Sequence, residues 1–201
     1  YLDRAIIGPQ HMWIGGGGIW DPEGILSSIP ATATVILGVI AGQWIAEPRP
    51  LLERLTGLFA AGSLGMMIGL VWSWSFPIGK NLWTSSYVVF TAGMACVAIA
   101  TCAWLVDVRG WRGWTKPFLP FGLNPIVAFV ASGVLSRFLY TLVKVPRNGA
   151  LVPIESAIYD SLLAPLFTDP RDASLLFAII YVAVFYAVLL LMHRRGIIIK
   201  V

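Results

Sequence analysis

Five long runs of apolar residues, separated by short charged stretches, constrain this chain more than any motif does. They are Leu26–Ile45, Leu55–Ser75, Leu82–Val106, Phe118–Val143 and Ala173–Met192, and only Phe118–Val143 contains a charge, Arg137. Crossing a bilayer as a helix takes about 20 residues, and each run reaches that length. Backbone in lipid must satisfy its own hydrogen bonds, which restricts spanning segments to helices and closed barrels. None of the runs alternates with period two, so a barrel is not expected. Composition agrees, with 58% of the 201 residues hydrophobic and 12% charged, against about 25% charged in a soluble domain. Mean hydropathy is +0.80. The expected fold is therefore an all-α polytopic transmembrane bundle of five spans, one transmembrane domain over residues 1–201, with the lipid bilayer as its first partner. The sequence starts at Tyr1 and lacks a basic-then-apolar leader before Glu23. The expectation is a portion of a longer protein.

Lysine and arginine counted loop by loop predict the orientation. One side holds Arg49, Arg54, Arg109, Arg112, Lys116, Arg194, Arg195 and Lys200, mostly close to span ends. The other holds Arg4, Lys80, Lys144, Arg147 and Arg171, spread over longer stretches. The positive-inside rule places the first set in the cytoplasm. The amino-terminal segment, the Pro77–Trp83 turn and the Lys144–Asp172 loop then face outward, with the carboxyl end inside. A net charge of +4 scattered through loops is no nucleic-acid footprint. Cys96 and Cys102 sit roughly 9 Å apart along one helix, beyond disulfide reach, and read as packing residues.

Small residues recur at spacings that let helices approach closely: Gly38 with Gly42, Ala61 with Gly65 and Gly69, and Ala128 with Ser132 and Ser136. Such stripes support a bundle, permit homo-oligomer contacts, and specify no activity. Ile154, Ile158, Leu162 and Leu166 fall four apart and predict a short interfacial helix over 154–166. Asp169-Pro170 reads as the cap and first position of the last span. Tryptophans near span ends form an aromatic belt without any need for a ligand.

Polar residues that can carry chemistry are few. Asp21-Pro22-Glu23-Gly24 immediately precedes the first span. Its plain reading has Asp21 capping the helix, Pro22 at the first position and Glu23 beside the positive helix end. Its functional reading has two carboxylates orienting a cationic or hydroxylated substrate at an outer vestibule, or helping to move a proton. The two are compatible. Lys80-Asn81, in the turn Phe76–Trp83 between the second and third spans, is either a snorkelling cation with a turn residue or a pair that binds an anion and donates hydrogen bonds. Asn124-Pro125 marks a polar kink. Arg137 either snorkels outward or lines a cavity. His11 stands alone and reads as structural or solvated sooner than catalytic, though an imidazole that titrates near neutral pH stays a candidate; no histidine or cysteine cluster has ligand spacing, so no metal is expected. Gly15–Gly18 lacks the Lys-Ser/Thr of a phosphate loop and reads as a hinge.

Taken together, Asp21-Pro22-Glu23-Gly24-Ile25-Leu26, the Gly38–Gly42 span and Pro77-Ile78-Gly79-Lys80-Asn81-Leu82-Trp83-Thr84-Ser85-Ser86-Tyr87-Val88 resemble the heparan-α-glucosaminide N-acetyltransferase family and its bacterial relatives, in their carboxyl-terminal half. Asp107 with Trp114, Pro120-Phe121-Gly122-Leu123-Asn124 and the basic tail extend the likeness in order. The resemblance implies a multi-pass membrane acyltransferase that moves an acetyl group from acetyl-CoA to an amino sugar or glycan outside the cytoplasm. For a bacterial relative it implies the inner membrane. Candidate substrate- or cofactor-binding residues are Asp21, Glu23, Lys80, Asn81, Trp83 and Asn124. In the family the catalytic histidine lies in the amino-terminal half, so the base is expected in that missing half of the same protein, its role is not transferred to His11, and this chain alone is expected to be inactive. The alternative is a transporter or permease subunit with a polar path lined by Lys80, Arg137 and Asn124; a further one is a non-catalytic membrane scaffold. Everything in the enzyme reading requires the carboxylates near residue 22 and the ammonium of Lys80 to open on one cavity.

Overall fold

The computed structural model describes residues 2–17, 19–147 and 149–199. Lys200, counted above among the cytoplasmic cations, and Gly18 of the glycine run lie outside the described residues. Among the described residues the fold is all-α apart from one small hairpin, and five helices are long and apolar enough to cross a membrane. It resolves into two compact units, residues 1–111 and 112–201.

The first unit begins with a single helical turn, α1 (Leu2–Ile6), and then carries three long helices: α2 (Ile25–Ala46), α3 (Leu51–Trp72) and α4 (Ser85–Ala103). A π-helical turn, Trp104–Val108, prolongs α4. The chain Glu47-Pro48-Arg49-Pro50 stops α2, because proline cannot supply the next helical N–H. The reversal is then tied from both sides. Arg54 donates to the Ile45 carbonyl at 2.6 Å and the Trp44 indole donates to the Arg54 carbonyl at 2.9 Å. Arg49 bridges Glu47 and Glu53 and lies over the Trp44 ring. Its hydrogen bonds to Glu53 and Glu47 raise the guanidinium pKa above its ordinary value.

α3 and α4 pack along most of their length. The seam is glycine. A Cβ on Gly93 would lie 2.5 Å from the Gly62 carbonyl oxygen and 2.6 Å from the Met66 nitrogen, and one on Gly69 would lie 2.7 Å from the Phe90 nitrogen. Main chain therefore rests on main chain, as small residues permit in lipid. The predicted stripe is corrected by one position, since Gly62 rather than Ala61 joins Gly65 and Gly69, and Ala61 is exposed. Leu55, Leu58 and Ala100 close the cytoplasm-side end predicted by charge counting, packed by Trp44 and Phe59. Gly38 and Gly42 of α2 face open space.

The second unit starts with α5 (Leu119–Leu123) and α6 (Pro125–Arg137), which continues as a π-helical turn to Leu142. The predicted run from Phe118 is thus broken, because Asn124 leaves helical geometry at φ −129°, ψ 52° and Pro125 restarts it. The hairpin β1 (Lys144–Arg147) and β2 (Ala150–Pro153) pairs Lys144 with Pro153 and Arg147 with Ala150. Helical structure then runs from α7 (Ile154–Ile158) through a π turn to Leu166, over the predicted 154–166. α8 (Pro170–Arg194) opens as expected, with the Asp169 carboxylate accepting from the Arg171 N–H at 2.8 Å. Ser132 and Ser136 meet α8 through the Tyr181 hydroxyl, at 2.9 and 3.2 Å.

Candidate functional site

α2 starts, and the α3–α4 connection lies, at one end of the first unit, because α2, α3 and α4 run alternately up and down. This end holds Asp21, Glu23, Lys80, Asn81 and Trp83.

The cap of α2 is a correction. Its N-cap position is Gly24, without a side-chain bond, and the acceptor for the Ile25 N–H is the carboxylate of Asp3, at 2.7 Å. A Cβ on Gly24 would run into that carboxylate. Asp21 instead organises the loop before it, accepting from the Trp13 N–H at 2.8 Å and the Glu23 N–H at 2.9 Å. Trp13 and Trp20 meet edge to face with centroids 5.2 Å apart, over a buried Gly16. Within the glycine run, Ile14–Gly16 forms a single 3-10 turn and Gly17 sits at φ 60°. His11 is exposed, its Nδ1 3.0 Å from the Ile7 carbonyl oxygen. Glu23 is exposed, with no ion pair among the described residues.

The Lys80 turn is closed by Thr84. Its hydroxyl accepts from the Gly79 N–H at 3.0 Å, and its own N–H donates to the Gly79 carbonyl at 3.2 Å. Thr84 and the fully buried Ser86 are linked at 3.3 Å. Trp83 adopts φ 51°, the left-handed region that bulky side chains avoid. What holds it there is the indole N–H, which donates to the Thr34 hydroxyl on α2 at 3.0 Å. Thr34 donates in turn to the Pro30 carbonyl at 3.2 Å, and Tyr87 meets the indole edge to face at 5.4 Å. Lys80 and Asn81 are left exposed at the tip, and Lys80 has no carboxylate within 4.0 Å among the described residues.

The structure thus brings the Asp21–Glu23 loop and the Lys80–Trp83 turn to the same helix end. Among the described residues the grooves found lie elsewhere, along α6 at Arg137 and beside Asp107 at the end of α4, so the shared cavity that the enzyme reading requires is not shown and that reading rests on the likeness reported below. Asn124, the remaining candidate, belongs to the other unit and has a structural task. It is fully buried; its Nδ2 donates to the Ile197 carbonyl at 3.2 Å and its Oδ1 accepts from the Ile199 N–H at 2.9 Å. As placed, its amide clamps the carboxyl-terminal tail. Sequence reading missed Asp3, Thr34 and Thr84. Thr34 had one visible signal, a hydroxyl in an apolar run, and Thr84 another, its place just before a helix; Asp3 had none.

Five apolar spans with a polar turn at one helix end define a multi-pass integral membrane protein. No family model matches the chain. Two curated proteins do, the heparan-alpha-glucosaminide N-acetyltransferases of Mus musculus and Homo sapiens. They are 30% identical to it over 154 and 156 residues respectively, which is 69% of this chain in each case. The chain spans 23% of the length of each relative. The likeness supports placing the chain in their family.

Proposed function

We propose that this chain is the carboxyl-terminal membrane portion of an enzyme that transfers an acetyl group from acetyl-CoA to an amino sugar or glycan on the extracytoplasmic side. The match to two N-acetyltransferases, over 69% of this chain, is the observation that carries the proposal. The positive-inside count supports the outward placement of the α2 start and the Lys80 turn. In such a transfer the amino nitrogen attacks the thioester carbonyl carbon, the bond from that carbon to sulfur breaks, and the amine loses a proton. A base and donors for the developing oxyanion are required.

None of the residues here is assigned as the base, which is placed in the remainder of the polypeptide. Glu23 offers an exposed carboxylate for the ammonium or hydroxyls of an acceptor. Lys80 and Asn81 offer an ammonium and a carboxamide to an anionic group of acceptor or donor. Trp83, Thr34 and Thr84 position them. The test is acetyl transfer in membranes holding the whole polypeptide. Glu23→Ala and Lys80→Ala should each lower kcat/KM by about tenfold or more, the worth of one charge-assisted hydrogen bond. Wild-type rates in both variants overturn the assignment of this site.

A further inference from the structure

Arg137 is the one charge inside the five apolar runs, and neither the fold nor the proposed chemistry uses it. It lies on α6 about one and a half turns, roughly 8 Å, before the end of that span at Leu142. Its side chain is exposed, and among the described residues it forms no ion pair. It stands at the head of an open groove of about 400 Å³, walled by Phe129, Val130 and Val134 and floored by Gly133. The two hydroxyls beside the groove are already engaged. Ser132 donates to the Phe129 carbonyl at 2.9 Å, and Ser136 is 3.2 Å from the Tyr181 hydroxyl oxygen. What remains is a carbon-lined channel with one permanent cation at its end.

A guanidinium at that depth is costly unless it reaches water or an anion. Its long stem reaches the interface from there, while the groove beneath it stays in hydrocarbon. The complementary shape is an amphiphile with an anionic head and an alkyl tail. We propose that α6 carries a binding site for an anionic glycerophospholipid, its phosphate held by the Arg137 fork and one acyl chain laid over Gly133. Guanidinium matches phosphate oxygens in a bidentate geometry. A protein helix fits less well, because the groove is shallow, one-sided and offers no second free polar group to fix a register.

The test is native mass spectrometry of the purified protein in neutral detergent, titrated separately with phosphatidylglycerol and phosphatidylcholine. Wild type should retain phosphatidylglycerol about fivefold more strongly, the scale of one interfacial arginine. Arg137→Gln should abolish that preference. Gly133→Leu should weaken retention of both lipids while keeping the charge, and its added Cβ meets nothing within 4 Å. An equal affinity of wild type for the two lipids, or a preference surviving in Arg137→Gln, overturns the proposal. Should Arg137→Gln fail to fold, unchanged retention in Gly133→Leu overturns it alone. So does a cross-link from Gly133→Cys, in the whole polypeptide, to another helix.

Discussion

Trp83 shows how one residue can be held where its own geometry resists. A left-handed backbone costs a bulky L-residue on the order of 1–2 kcal/mol, and here the indole offsets it by donating to Thr34 across 49 residues of sequence. Trp83→Phe keeps a ring and removes the donor, so it should destabilise the protein by about 1 kcal/mol. Thr34→Val should cost a similar amount, and the double variant should cost less than the sum of the two in thermal unfolding; strict additivity would show that the bond contributes nothing. A second comparison concerns the start of α2. Amide exchange at Ile25 should rise more in Asp3→Ala than in Asp21→Ala, because Asp3 holds that N–H directly. Asp21-Pro22-Glu23 looked like a cap because capping patterns are local. The carboxylate that does the work is supplied from 22 positions away, a distance that no local pattern records.

At the scale of elements, the five spans were legible because twenty apolar residues in a row leave the backbone few choices. Their edges moved by a few residues, and the fourth was interrupted where Asn124-Pro125 had marked a kink. The clamp on the tail was not legible, since it joins residues 124 and 199 through the third dimension. Of the candidate site, the shared helix end followed from counting spans, while the burial of Asn124 and the open tip at Lys80 needed coordinates. Two substitutions separate the glycines that pack from those that do not. Gly93→Ala places a methyl 2.5 Å from the Gly62 carbonyl oxygen and should destabilise by about 1–3 kcal/mol. Gly38→Ala meets nothing within 4 Å and should be neutral or slightly stabilising in the same unfolding assay. Asn124→Leu should leave α5 and α6 in place and free the tail, which faster exchange at Ile197 and Ile199 would report.

For the whole molecule, the reversal of the chain between α2, α3 and α4 puts the Glu47–Pro50 and Ser73–Thr84 connections at opposite ends of the first unit. With Cys96 and Cys102 replaced by alanine, a cysteine at Glu47 and one at Ser75 should label with an impermeant reagent from opposite sides of a sealed membrane. Labelling from one side would refute the spanning assignment. The glycine seam also bears on how such a protein can move. Backbone laid on backbone leaves no rotamer to switch and no cushion to compress, so the α3–α4 pair behaves as one stiff plank. Within the first unit, the ladder is weakest at Pro30 of α2, whose ring removes a backbone donor, so bending there should cost least.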